Sequence, residues 1–124
     1  MGQERGSAMA VYALLVLFSL LLSHSAHAAT HIVGDTGGWT FNVAAWPRGK
    51  HFRAGDRLLF RYGAGVHNVV AVDRAGYNAC ATSNGAKVYQ SGRDQIKLRK
   101  GLNFFICNFA GHCQSGMRIA VNAY

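Results

Sequence analysis

Asn103-Phe104-Phe105-Ile106-Cys107-Asn108-Phe109-Ala110-Gly111-His112-Cys113-Gln114-Ser115-Gly116-Met117-Arg118-Ile119-Ala120-Val121 is the stretch on which the fold reading turns. Asn103 to Cys107 is nearly all apolar, which predicts a central strand buried on both faces and ending at the cysteine. Met117 to Val121 reads as the last strand. The loop between them places a thiol, an imidazole and a thioether within eleven positions, Cys107, His112 and Met117, with four residues in each gap. Gly111 and Gly116 are sites where a loop can bend to turn the three side chains toward one point. Singly, Cys107 and Met117 read as core residues and His112 as a surface residue. Together they form a soft donor set, since thiolate and thioether favour copper and imidazole suits several transition metals. One further histidine would complete the His₂Cys set with a weak axial Met found in blue-copper electron-transfer sites. His67, forty residues upstream of Cys107, can supply it.

Outward from that loop, the strand signals are short and regularly spaced. His31-Ile32-Val33 predicts a strand, closed by Gly34-Asp35-Thr36-Gly37-Gly38. Trp39-Thr40-Phe41 is β-prone, and Asn42 to Trp46 predicts one helical turn stopped by Pro47. Gly55-Asp56 marks a turn. Arg57 to Tyr62 alternates, with Leu58, Phe60 and Tyr62 on one face and Leu59 interrupting the polar side. Gly63-Ala64-Gly65 turns the chain into a strand over His67 to Val72. A short helix is expected around Tyr77, a brief strand at Lys87 to Tyr89, and a strand over Gln95 to Leu98 with Ile96 and Leu98 inward. About seven or eight short strands, with one or two short helices, predict an all-β sandwich.

The N-terminus reads differently. Ala10 to Leu22 is a thirteen-residue apolar run preceded by Arg5 and followed by Ala26-His27-Ala28. A charged start, an apolar middle and a small-residue end predict a secretory signal over residues 1–28, with a retained anchor or a buried helix as the alternatives, although a membrane span needs about 20 apolar residues. Cleavage after Ala28 would leave one domain of 96 residues, Ala29 to Tyr124, with no later apolar run and no hydrophobic tail for a GPI anchor. Removing Arg5 and Glu4 leaves 12 basic and 4 acidic residues, so the net charge stays at +8. Such a chain is drawn to polyanions. Nucleic acid does not suit an exported protein and no nucleic-acid motif appears, so the charge reads either as a site for acidic wall polysaccharide or an anionic membrane surface, or as a surface that only keeps the domain soluble.

There are three cysteines, Cys80, Cys107 and Cys113. An odd count in an exported chain implies one bridge and one thiol with another task. All three pairings are open on paper. If Cys107 is a metal-bound thiolate, the pair left is Cys80–Cys113, a loop worth roughly 3–4 kcal/mol in the chain-entropy model.

The loop resembles the copper loop of the plant phytocyanins, most closely their plantacyanin branch. Val33-Gly34-Asp35, Gly38-Trp39-Thr40-Phe41-Asn42, Phe52-Arg53-Ala54-Gly55-Asp56, His67-Asn68-Val69-Val70 and Gly92-Arg93-Asp94-Gln95-Ile96 resemble it too, so the similarity covers essentially all of Ala29 to Tyr124. The resemblance implies a cupredoxin Greek-key sandwich. It implies one copper ion cycling between Cu(II) and Cu(I), held by His67, Cys107 and His112 with Met117 as weak axial ligand. It matches Cys80–Cys113 to the family disulfide, and an extended segment would let adjacent His112 and Cys113 point opposite ways. It also implies that the Asn68 backbone N–H bonds to the ligand sulfur, an outer contact that tunes the metal. Met at the axial position, unlike the Gln of the stellacyanin branch, and the lack of a Pro/Ser-rich tail set the chain apart from other branches.

The expectation is therefore a secreted, monomeric one-electron carrier of the extracellular matrix, not an enzyme, with a redox partner the sequence does not name. The alternative is an extracellular interaction or signalling module in which copper is structural or redox-sensing. A cysteine hydrolase built on Cys107 with His112 or His67 lacks an evident oxyanion hole or orienting acid.

Overall fold

The computed structural model describes residues 2–25 and 27–124; Ala26, in the small-residue end of the expected leader, lies outside the described residues. A helix, α1, runs from Gly2 to Ser25. Seven strands follow: β1 (Thr30–Ile32), β2 (Arg57–Arg61), β3 (Val69–Val72), β4 (Val88–Tyr89), β5 (Arg93–Lys97), β6 (Gly101–Ile106) and β7 (Arg118–Ala123), with a short helix α2 (Arg74–Ala79) between β3 and β4. They form two sheets, β1-β2-β5 and β4-β3-β6-β7. The first pairs β1 with β2 in parallel and β2 with β5 antiparallel, while the second is antiparallel throughout. This is the two-sheet all-β architecture expected from the strand spacing, with seven strands.

Alternation builds the core. Leu58 and Phe60 of β2 are fully buried between the sheets, as are Val69 of β3 and Ile119 and Val121 of β7. Trp39 stands edge-on to Phe60, with centroids 5.0 Å apart, and Phe60 meets Phe105 across the sheets at 5.3 Å. Edge-to-face rings at this separation add roughly 0.5–1.5 kcal/mol per pair beyond burial. A second, smaller cluster lies on the far side of the β4-β3-β6-β7 sheet, where Val70, Ile106 and Cys113 meet Tyr77 and Cys80. β6 is thus covered on both faces at Phe105 and Ile106, as expected of a central strand; Phe104 is only half-buried, under the Tyr77 ring.

Three expectations are corrected. Trp39 to Phe41 is not a strand, because the Trp39 N–H caps the end of β2 at the Arg61 carbonyl (2.9 Å). Asn42 to Trp46 forms successive turns rather than helix. Asn42 adopts φ 58°, and the Asn42 and Val43 N–H groups donate outward to the Ser115 and Gly116 carbonyls at 3.1 and 3.0 Å. The strand expected from His67 begins at Val69, because Asn68 spends its N–H and side chain elsewhere.

α1 carries Val11, Leu14, Leu17 and Phe18 exposed. No helix among the described residues is long and apolar enough to cross a membrane.

Candidate metal centre

Two strand ends and one loop converge at one end of the sandwich. Cys107 follows the last residue of β6, and its N–H donates to the Met117 carbonyl at 3.0 Å, just before β7. The intervening loop is a chain of tight turns. His112 N–H donates to the Phe109 carbonyl (3.0 Å), Gly116 N–H to Cys113 (3.0 Å) and Met117 N–H back to His112 (3.1 Å). The segment is therefore not extended, and His112 and Cys113 diverge through turn geometry: His112 faces Cys107, and Cys113 enters the cluster under α2. Gly116, at φ 83°, lies so close to Asn42 that a Cβ there would sit 3.0 Å from the Asn42 Cα. Glycine is what lets the loop settle on its brace.

The structure brings together His67, Cys107 and His112. Their donor atoms all lie within 4.8 Å of one another. His67 Nδ1 stands 3.0 Å from His112 Nδ1, and Cys107 Sγ stands 3.5 Å from the same His112 nitrogen. Cys107 is fully buried and unpaired as a thiol, His67 is buried, and His112 is half-buried. Burial, then the neighbouring His112, pulls the His67 pKa below its usual value, which favours the neutral imidazole a metal requires. Met117 is fully buried in the same core as Cys107 and tied by its backbone to both Cys107 and His112.

Around these residues no buried side-chain nitrogen or oxygen among the described residues lacks a hydrogen-bond partner. The Asn68 N–H points at Cys107 Sγ (3.5 Å). Its side-chain amide donates to Asn108 Oδ1 (2.6 Å), and its amide oxygen accepts from the Asn108 N–H (3.0 Å). Its carbonyl accepts from the Trp39 indole N–H (2.9 Å). Phe41 stands edge-on to both imidazoles, 5.3 Å from His67 and 4.9 Å from His112. Cys80, at the end of α2, is bridged to Cys113, and the Arg118 guanidinium donates to the Tyr77 carbonyl (2.9 Å), tying α2 to the start of β7. Trp39, Phe41 and Asn108 escaped the sequence reading as parts of this site. The pattern Gly38-Trp39-Thr40-Phe41 carried a family resemblance, but no local feature of it pointed to His67 or Asn68.

The donor set fits a soft metal. Two imidazole nitrogens and one buried sulfur converge, with a thioether residue in the adjoining core, and no carboxylate joins the cluster among the described residues. The arrangement suits a copper or zinc ion by donor type, and a buried Cys–Met combination leans to copper.

Comparison with known proteins agrees. Residues 39–117 match the family model of the plastocyanin-like domain. The basic blue protein of Cucumis sativus is 65% identical over 95 residues, 77% of this chain and 99% of that protein. The basic blue protein of Arabidopsis thaliana is 55% identical over 123 residues, covering 98% of this chain and 95% of that one. The solved structure of cucumber basic protein, a blue copper protein, superposes with a TM-score of 0.77 at 64% identity, covering 77% of this chain and all of the other. With the convergent His-Cys-His set already in place, these matches settle descent: the chain belongs to the plastocyanin-like domain family, among the phytocyanin cupredoxins of the basic blue protein, or plantacyanin, type.

Proposed function

We propose that His67, Cys107 and His112 hold one copper ion, with Met117 as a weak axial ligand, and that the protein is a one-electron carrier rather than an enzyme. The observation that carries this reading is the convergence of one buried sulfur and two Nδ1 atoms within 4.8 Å. Copper, when bound there, supplies a one-electron Cu(II)/Cu(I) couple.

The chain's own residues do the rest. Cys107 offers its sulfur from a fully buried strand end, sheltered from water and oxidants. The Asn68 N–H draws on that sulfur and moderates its donation. The Trp39–Asn68–Asn108 bonds fix the segment carrying His67 against the segment carrying Cys107, so the donors keep their places when the charge of the site changes. Small rearrangement means a low barrier to electron transfer. His112 is the one donor only half-buried, so its ring edge is where electrons enter and leave.

Residues 1–28 act as a secretory signal cleaved after Ala28, and residues 29–124 work as a monomer in the extracellular matrix. The surface charge of +8 makes acidic wall polysaccharide the partner outside the redox reaction. The deciding experiment is a visible and electron paramagnetic resonance spectrum of the purified, copper-loaded protein. An intense blue thiolate-to-copper band with a small parallel hyperfine splitting is expected. A pale protein with an ordinary tetragonal copper spectrum would overturn the ligand assignment.

A further inference from the structure

The two sheets are closed along one side and open along the other. On one side Phe52 bridges to Ala123 of β7. On the other, the edge strands β4 and β5 flank a cleft of about 770 Å³. Six cations line it: Arg57, Arg74, Lys87, Lys97, Arg99 and Lys100. They are half of the twelve basic residues of Ala29–Tyr124. Asp73, the one acid in the lining, is engaged as the N-cap of α2, accepting from the Gly76 N–H at 2.8 Å. Ion pairs within 4.0 Å among the described residues are His31–Asp56 and Lys50–Asp35, so none of the six cations has a carboxylate partner.

From this we infer that the cleft between β4 and β5 is a binding groove for a strand of acidic polysaccharide, distinct from the metal centre. Several features favour a chain of sugar carboxylates. The site is a recessed groove, which admits a polymer strand and keeps a flat bilayer from reaching its floor. Tyr89, Phe104 and the half-exposed Leu102 give apolar surface for the C–H faces of sugar rings, and two cations are already seated over those rings. Lys87 Nζ lies 5.2 Å from the Tyr89 ring and the Arg74 guanidinium 5.3 Å from that of Phe104, which holds the charges at defined heights on the wall. Edge lysines also deter strand pairing, which accounts for Lys87 and Lys97 but not for Arg57, Arg74, Arg99 and Lys100. Three of the cations, Lys97, Arg99 and Lys100, flank the start of β6, whereas Cys107 follows its end. β6 is six residues long, about 20 Å, so a polymer held by the cations at its start leaves the His112 edge free.

This inference rests on the polysaccharide partner proposed above, and the test separates the two. The copper-loaded protein is titrated with polygalacturonate at physiological salt, beside a triple variant Lys97→Glu/Arg99→Glu/Lys100→Glu and a control of equal charge change, Arg48→Glu/Arg53→Glu/Arg93→Glu. The groove variant should bind at least tenfold more weakly and the control within threefold of wild type, with the blue band unchanged in all three. Equal weakening in both variants would mean diffuse attraction and overturn the groove while leaving the partner standing. Absence of polygalacturonate binding by the wild type would overturn both. Duplex DNA or phosphatidylserine vesicles binding as tightly, with the same loss in the groove variant, would overturn the assignment to polysaccharide.

A second observation stands independently. The Ala29 N–H donates to Asp56 Oδ1 at 3.0 Å, and Asp56 is buried. Cleavage after Ala28 turns that amide into an α-ammonium group. The geometry points to removal of the leader creating an ion pair between the new N-terminus and Asp56, so that processing itself tightens the fold. A chain beginning at Ala29 should melt about 4 °C or more above one retaining Ala28, the scale of a kcal/mol in a domain this size, and Asp56→Asn should erase the difference. Equal melting of the two chains, or a difference that persists in Asp56→Asn, would overturn it.

Discussion

Asn68 and Asp56 are buried to nearly the same degree, 5% and 4% exposed, at opposite ends of the sandwich, and each of their side-chain polar atoms has a hydrogen-bond partner. Asn68 is neutral. Its amide and carbonyl join Trp39, Asn108 and the Cys107 sulfur into one unit around the metal donors. Asp56 is charged. It gathers the Ala29 N–H, the Arg53 N–H at 3.0 Å and His31 Nε2 at 2.9 Å, and so fastens the start of the domain to the start of β2. The contrast is instructive. The functional end is held mostly by neutral amide bonds, whose strength does not follow pH, and only the Asn68 N–H toward the Cys107 sulfur answers to the charge of the site. The structural end is held by a carboxylate, whose contribution does follow pH.

If the two ends are separable, the largest effect comes from Cys107→Ser. A hydroxyl is a hard, weak donor compared with a thiolate. The intense blue band should vanish entirely, while the far-ultraviolet circular dichroism of the sandwich stays and Asp56→Asn keeps the band. Residual intense blue in the serine variant would show that Cys107 is not the sulfur ligand.

Next in size is the bridge at the functional end. Cys80–Cys113 spans a sequence separation of 33. The double variant Cys80→Ser/Cys113→Ser should lose roughly 3–4 kcal/mol in urea unfolding. A loss under about 1 kcal/mol would mean that the turn hydrogen bonds hold the His112 loop without the bridge.

The two ends also differed in how far they could be read from sequence. Cys107, His112 and Met117 were legible because one loop carries all three, and His67 because the donor chemistry called for a second imidazole. Arg57–Arg61 and Arg93–Lys97 were legible through alternation, and Arg118–Ala123 as the last strand after the loop, although their ends moved by a residue or two. The brace from Trp39 to Trp46 was not. Its N–H groups go to Arg61, Ser115 and Gly116, far away in sequence, and local propensity cannot anticipate such partners. The Asn68–Asn108 lock, forty residues apart, was hidden for the same reason. The basic charge was visible as a total. Its concentration between β4 and β5 depends on which strands end up as neighbours, and so emerges only from the topology.

A medium effect tests the neutral knot. Asn68→Leu keeps the backbone N–H toward Cys107 but leaves the Asn108 N–H without its acceptor. Asn108 is itself exposed and the bond only partly buried, so the cost is at the low end of that for an orphaned donor, about 1 kcal/mol. The loss should be the same at pH 4.5 and pH 7.5, since no ionisable group is removed. A loss that doubled between those values would show that the functional end is coupled to a charge after all.

The smallest effect, and the one that most sharpens the contrast, is the acid response of the other end. Burial pushes the Asp56 carboxyl upward, but the His31 hydrogen bond and the Ala29 and Arg53 N–H groups outweigh it, so its pKa lies below the ordinary value. The sign follows. A carboxyl more acidic in the folded than in the unfolded state stabilises the fold fully above the unfolded pKa, near 4, and that share is lost as pH falls through the folded value. Wild type should therefore be flat in this contribution from neutrality down to about pH 4 and weaken progressively below it. Asp56→Asn replaces the carboxylate with an amide that cannot accept all three bonds, so the variant should start less stable at pH 7. It should then lose less than wild type on further acidification, and the two curves should converge. Urea midpoints at pH 7, 5, 4 and 3 for both proteins measure it. Curves that stay parallel to pH 3 would mean that Asp56 holds its neighbours by shape alone, and the distinction between a neutral and a charged end would fall.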